Sequence, residues 1–497
     1  MSPAFMLTVA FGPVVGPELR ILLVLWVGLC GGYLLGRRLA PGRFAPFLCA
    51  FVYMFSSWYP LYMSHWHDEF IPFAYLPWLL LFYERGREDM RWCVGGGLVL
   101  ALMIFEGGIY PVPYALLSLS LFALLEAIIE RRCASMIVIL ITLVLGLALS
   151  GVKLLPLTEF LSRNPRPTFW REPVLPWASL PRIFFGRDQI SKTDFTGAWL
   201  GWWEYGAYVG VLPALLAMSA PFLVRKRSLP VGIMALLFFA LMFGDYGVMS
   251  PWHWIHRIPM FASLHDPVRF RVVLIFCLAL MSAMAVSRLE ELVRVLHREW
   301  AWALTITLGI ATAAVVMDLM LVSAPIYSTV STTAPLKPKR SGLFRQVRLP
   351  KEEQQGPRSF LCFLQNEGLI NNYDGFDLPP VSVKAFDEPG HRGEVWLAQG
   401  RGKVATLVWS PNRLCYGLEL SGPDVLVLNQ RYDPGWRADE GRPLFSRGGL
   451  IALPVSPSDK KISLRYIPPL FYQGCMLSVL GVLAATIIWN KGWRPSY

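Results

Sequence analysis

Apolar stretches of about 20 residues, separated by short connections that carry Arg and Lys, constrain this 497-residue chain more than any other feature. A helix of about 20 apolar residues just crosses the hydrocarbon of a bilayer. Charged residues make up 16% of the chain and hydrophobic residues 54%. A soluble domain carries about 25% charge because its surface is wetted. Disordered, collagen-like and nucleic-acid-coating chains are excluded, and so is a single soluble domain. The fold class is a polytopic α-helical membrane protein with no nucleic-acid partner. The net charge of +12 comes from 46 Lys and Arg against 34 Asp and Glu, and much of the excess lies in short loops, as the positive-inside rule requires.

About eleven spans are expected, with cores near 19–38, 44–62, 69–84, 92–106, 109–129, 134–157, 206–224, 230–248, 268–287, 300–323 and 467–489. Alternate connections are basic: Arg37, Arg38 and Arg43; Arg85, Arg87 and Arg91; Arg131 and Arg132; Arg225, Lys226 and Arg227; Arg288, Arg294 and Arg298; Lys491 and Arg494. These ends are assigned to the cytoplasm. The C-terminus is then cytoplasmic and residues 1–18 start outside, with no basic leader or cleavage site ahead of the first span. That pattern reads as a twelve-span protein lacking its first helix.

Three domains are expected. Residues 1–323 form the transmembrane domain, with outer loops 158–205 and 245–267. Residues 324–466 form a small β-rich extracytoplasmic domain, where Asp424–Leu428 and Lys461–Tyr466 alternate as strands do. Residues 467–497 form the final helix and a short tail. The loop 158–205 carries Pro165, Arg166, Pro167, Trp170, Arg171, Pro173, Pro176 and Trp177, which suit a lipid headgroup region. The eight cysteines form no CxxC pair. Only Cys362 and Cys415 fall in a polar region, and a disulfide between them stays open.

Several local patterns stand in order along the chain. They are Glu106-Gly107-Gly108-Ile109-Tyr110-Pro111; Leu154-Leu155-Pro156 with Glu159; Phe184-Phe185-Gly186 with Glu204 and Tyr208-Val209-Gly210; Ile258-Pro259 leading to Asp266-Pro267-Val268-Arg269-Phe270; and Tyr432-Asp433-Pro434-Gly435-Trp436-Arg437-Ala438 with Arg465-Tyr466-Ile467-Pro468-Pro469. Together they resemble the bacterial YfhO-type membrane proteins, relatives of the GT-C-fold, lipid-linked-sugar glycosyltransferases. The resemblance implies a GT-C-like bundle in the bacterial cytoplasmic membrane. It also implies transfer of a sugar from a polyprenyl-phosphate donor to a cell-envelope glycan or polymer on the outer face. The family usually begins with one further helix and an outer loop bearing an acidic catalytic motif, and His265 stands where relatives tend to carry Arg. An upstream start, a partner subunit, or a non-catalytic member would each account for the difference.

Such chemistry needs a carboxylate to take the acceptor proton and cations to stabilise the departing phosphate. Asp68 is the first candidate base and Glu69 the second. His65, His67 and Asp68 are candidate ligands for a divalent metal ion, or else a wetted turn. Arg269, Arg271, His265 and Lys153 are candidate phosphate ligands. Arg at the outer end of a span opposes the positive-inside trend, so either phosphate or an ion pair with Asp266 or Asp245 is expected there. Lys153 either binds phosphate or snorkels to the interface. Glu106, Glu159, Glu204, Asp245, Asp266 and Asp318 are supporting outer-face carboxylates, and a carboxylate inside a span, as at Asp318, is costly enough to need a purpose. Trp436 either stacks on a glycan or anchors a turn. Three function classes follow: a glycosyltransferase-like enzyme, a non-catalytic envelope scaffold or accessory subunit, and, with no inverted repeat to support it, a transporter or flippase.

Overall fold

The computed structural model describes residues 2–131, 134–165, 174–190, 201–295, 297–328, 344–350, 362, 365–370 and 382–492. It divides into two compact units. The first is Met1–Leu154, Thr168–Thr332 and Cys475–Tyr497; the second is Leu155–Pro167 and Thr333–Gly474. Arg166, Pro167, Trp170, Arg171, Pro173, Arg132 and Arg494 lie outside the described residues.

The first unit is helical. Among the described residues five helices are long and apolar enough to cross a membrane: Val14–Leu39, Pro111–Ile129, Pro267–Val293, Glu299–Ser328 and Phe471–Lys491. A sixth candidate is the pair Ser135–Leu149 and Gly151–Arg163, bent by 80° at Ser150. The chain is therefore a helical membrane protein; among the described residues helix length and composition mark five spans, or six with the bent pair, and do not establish the expected eleven.

The remaining apolar runs fold as shorter pieces. Helix α1 (Phe5–Leu39) is followed by α2 (Ala45–Phe55), α3 (Trp58–Ser64), a 3-10 turn (Asp68–Tyr75), α4 (Leu76–Gly86) and α5 (Trp92–Phe105). The run expected at 44–62 breaks at Ser56, whose backbone is extended. Freed carbonyls at such breaks need donors. Tyr53 Oη donates to Phe73 O at 2.7 Å, Trp58 Nε1 to Tyr53 O at 2.6 Å, and Tyr59 Oη to Ile21 O at 2.6 Å. Ser57 Oγ accepts from the backbone N–H of Tyr208 at 2.8 Å and donates to Gln189. Tyr53, Trp58, Tyr59, Phe70 and Phe73 are fully buried, so the irregular backbone is shielded by protein.

The later helices are α6 (Pro111–Glu130), α7 (Ala134–Leu149), α8 (Gly151–Arg163), α9 (Leu180–Phe185), α10 (Trp202–Tyr205), α11 (Val211–Leu223), α12 (Arg225–Leu241), α13 (Pro251–Ile255), α14 (Pro259–Ala262), α15 (Arg271–Val293) and α16 (Arg298–Ser328). Helix α15 is apolar on all sides and buried on nearly all of them, packed by α2, α11 and α12. The final helix, Phe471–Lys491, docks on α7. Its Ser478 Oγ donates to Leu149 O and accepts from Val152 N, both at 3.0 Å, and Ala485 packs with Val94 and Leu145.

The second unit is a β-sandwich. One sheet runs β4 (Gly402–Ser410), β5 (Arg413–Leu420), β10 (Lys461–Tyr466) and β7 (Trp436–Ala438). The other runs β3 (Val395–Leu397), β6 (Asp424–Arg431), β9 (Leu450–Val455) and β8 (Phe445–Arg447), and both are antiparallel. Leu426 and Leu428 of β6 meet Ile462 and Leu464 of β10 in the shared core. The period-two alternation read in these two segments is what presents one face of each strand inward. A short parallel pair, β1 (Arg345–Val347) with β2 (Glu367–Leu369), forms a sheet of its own, tied to β6 where Gln346 Nε2 donates to Asn429 O. No disulfide joins Cys362 to Cys415: the first is buried against Val347 and Leu349, and the second is a buried thiol on β5.

Candidate functional site

Two of the carboxylates at the ends of the expected spans, Asp68 and Glu106, meet at a residue that the sequence places inside the first span. Arg20, two turns past the break in α1 at Gly12, donates from Nη1 to Asp68 Oδ2 and from Nη2 to Glu106 Oε2, each at 2.6 Å. Glu106 follows the last residue of α5. Gly107 turns the chain there with φ +85°, and a Cβ on Gly108 would stand 3.2 Å from Pro72. Lys153 Nζ donates to Phe105 O at 2.9 Å, capping α5 next to Glu106. Ser2 Oγ also donates to Glu106.

Within this cluster only Asp68 is open. Its side chain is 47% exposed, against 1% for Glu106 and 13% for Arg20. The burial of its remainder pushes its pKa up, and Arg20 opposes that without reversing it. Arg20 Nε is buried with no hydrogen-bond partner among the described residues. A signal for Arg20 was available: it sits at the end of its span opposite Arg37 and Arg38, the same anomaly that drew attention to Arg269.

A second network adjoins the first through Phe70 and Tyr110, whose rings Arg269 faces at 5.0 and 4.3 Å. Arg269 donates to Glu204 through Nε at 2.9 Å and Nη2 at 2.5 Å, and lies 3.0 Å from Asp266. The ion pair expected with Asp266 is formed. Burial disfavours the charged Glu204, but Arg269 outweighs it and holds the carboxyl below its ordinary pKa. Asp266 has left-handed backbone, φ 56°, directly before Pro267. That conformation costs about 1–3 kcal/mol. His265 Nδ1, at 2.6 Å, and Arg269 hold it in place. Arg271 is completely buried and donates to Gly206 O, Tyr62 Oη and Trp203 O at 2.7–2.8 Å.

His65, His67 and Asp68 are not drawn together as a ligand set. His65 stacks on Trp203 with Nδ1 3.1 Å from Leu61 O, His67 Nδ1 faces Glu69 Oε1 at 3.3 Å, and Asp68 is taken by Arg20. Among the described residues no group of three or more His, Cys, Asp or Glu is placed to hold a metal. The remaining carboxylates lie elsewhere. Asp245 closes a turn through Gly247 N at 2.9 Å and meets His253 at 3.0 Å. Asp318 accepts from Tyr208 Oη at 2.6 Å and pairs with Arg187.

In the second unit, Glu159 pairs with Arg163 at 2.6 Å, and Arg163 reaches Asp433 at 3.1 Å. Arg163 and Asp433 border a cleft of about 1030 Å³ that Gln430, Tyr432, Trp436 and Tyr466 also line. Trp436 is only 7% exposed and packs against Tyr466, centroids 5.3 Å apart. Gln430 Oε1 is buried with no partner among the described residues. No protein-family model, curated protein or solved structure matches the chain.

Proposed function

We propose that this protein is a membrane glycosyltransferase-like enzyme. It moves a sugar from a polyprenyl-phosphate donor to a cell-envelope acceptor on the outer face of the bacterial cytoplasmic membrane. The observation that carries the reading is Asp68: an open carboxylate with a raised pKa, fixed by an arginine that a buried second carboxylate anchors. A base works best when its pKa approaches the working pH, and the shift is in that direction. In the step, Asp68 takes the proton of the acceptor hydroxyl. That oxygen bonds to the anomeric carbon as the bond from that carbon to the phosphate oxygen breaks, and polyprenyl phosphate leaves. Glu69, next to it, is the alternative base. Lys153 is the best-placed cation for the leaving phosphate: an ammonium has three N–H donors, and Phe105 O takes one of them. His265, part-exposed, is a second contact. Arg269 and Arg271 act here as positioning residues, since they already donate to a carboxylate, to two carbonyls and to the Tyr62 hydroxyl. The cleft of the second unit, where Tyr432 and the edge of Trp436 offer apolar faces to sugar rings, is a separate candidate glycan-binding surface.

A second reading is a non-catalytic envelope scaffold. It is favoured by the internal pairing of Asp68, Glu106, Glu204 and Arg269, which a structural latch needs and a catalyst need not have. Loss of labelled sugar from polyprenyl phosphate in membranes separates the two. Asp68→Asn is expected to lower turnover by roughly 10²–10⁴-fold, whereas Asp245→Asn leaves it unchanged. Equal turnover in wild type and Asp68→Asn removes Asp68 from the role of base, and absence of turnover in wild type removes the enzyme reading.

A further inference from the structure

One face of α15 lines two cavities in succession. Leu274, Leu278 and Met281 border an apolar groove of about 590 Å³ that α11 and α12 complete. One to three turns further along, Met284, Arg288 and Glu291 border a polar cavity of about 400 Å³. The two share Arg225, the first residue of α12, and Lys226 and Arg227 line the polar cavity beside it. The groove is therefore a continuous amphipathic slot: a long apolar wall ending in Arg225, Lys226, Arg227 and Arg288. Among the described residues Arg225, Lys226 and Arg227 form no ion pair, and Arg288 meets only Glu291, at 2.9 Å on the exposed surface.

We propose that this slot binds an anionic glycerophospholipid of the surrounding bilayer, with an acyl chain along the groove and its phosphate in the basic cluster. Charge complementarity selects the occupant. Uncharged lipid would satisfy the groove and leave the three cations without a counter-ion, whereas a phosphate meets them at the level where the apolar wall stops. The volume suits a drug-sized or acyl-chain ligand, about 300–1,000 Å³. Basic pockets between membrane helices are a recurrent phosphate-headgroup site. The headgroup end of the site is separate from the polar network around Arg271. Arg288 lies 17 residues further along the same helix, which at 1.5 Å per residue is about 25 Å away. A phosphate held here is thus not the phosphate of a sugar donor bound at Asp68. The groove also has room for a test: a Cβ on Gly232 would meet nothing closer than the methyl of Met281, at 3.8 Å.

The test is native mass spectrometry of the purified full chain, loaded with phosphatidylglycerol or with phosphatidylcholine of the same acyl chains. Wild type is expected to retain one phosphatidylglycerol under activation that strips phosphatidylcholine. Replacing Arg225, Lys226 and Arg227 by Gln is expected to weaken retention by roughly tenfold or more, since each basic side chain contributes to headgroup binding. Gly232→Leu, which fills the groove and keeps every charge, is expected to lose the same lipid. Neutralising Arg85, Arg91 and Lys491 together removes as much charge elsewhere and is expected to leave retention unchanged. Equal retention of both lipids, full retention in both the charge and groove variants, or equal loss in the Arg85, Arg91 and Lys491 variant overturns the proposal. So does displacement of phosphatidylglycerol by equimolar polyprenyl phosphate, or a lipid-free dimer that covers the groove.

Discussion

Arg269 offers the sharpest separation between a latch and a ligand-binding cation. Its side chain is 7% exposed and that of Glu204 is 1%, and two short bonds join them. Removing one member of a buried pair leaves the other charge uncompensated, which costs about 3–5 kcal/mol. Arg269→Met should therefore destabilise the helical unit by about that amount, because Glu204 loses its bidentate partner and Asp266 loses a support. Glu204→Leu added to it removes the stranded carboxylate and should return more than half of the loss, since a buried pair replaced by apolar side chains is often neutral. The assay is thermal unfolding of the purified protein in one detergent, for wild type, both single variants and the double. The expected signature is a strong favourable coupling in the double-mutant cycle. Additive losses, with the double variant worse than either single one, would refute the reasoning. An unchanged Tm in Arg269→Met, with polyprenyl-phosphate binding reduced, would return Arg269 to the role of phosphate ligand.

Three other outcomes are expected. Arg442 bonds Asp459 at 2.5 Å and holds its carboxyl at a pKa of about 2, below the unfolded value of about 3.9. The sandwich should keep that stabilisation above pH 4 and lose it as pH falls towards 2. It amounts to at most about 2 kcal/mol, and less in salt. Hydrogen exchange of the β9–β10 peptides in the full chain reads it, and Arg442→Ala should flatten the acid limb. Ser57→Ala leaves the buried Tyr208 N–H without its acceptor and should cost about 1–3 kcal/mol in thermal unfolding. Gly107→Ala forces a side chain into φ +85° and should lower stability by about 1–2 kcal/mol; a neutral result would show that the turn relaxes.

The long apolar helices, the final helix and strands β6 and β10 were legible because each has one dominant period and one surface to bury. The broken segments were not. Hydropathy registers Tyr53, Trp58 and Tyr59 as apolar, but their hydroxyl and indole groups are what make a break inside the protein tolerable. A run such as 44–62 therefore looks like one span and folds as two helices. The clustering of Asp68, Glu106 and Lys153 followed from their positions at span ends. Arg20, which joins two of them, did not, because a single Arg near the edge of a long apolar run reads as a helix flank. Arg269 and Arg271 were recognised as anomalous cations, yet their partners Glu204, Gly206 O and Trp203 O lie more than 60 residues away, a pairing no local pattern encodes.

The docking of the final helix on α7 sets a condition on biosynthesis. Ser478 closes its bond to Val152 across 326 residues of intervening chain. At about 5–20 residues per second, the seam on α7 waits on the order of tens of seconds for the segment that seals it. During that interval the earlier helices must hold without their last neighbour, with lipid or the insertion machinery covering Leu145 and Val94. A premature stop anywhere in the sandwich would leave that seam permanently open and mark the truncated chain for quality control, even with every residue of the Asp68 cluster in place.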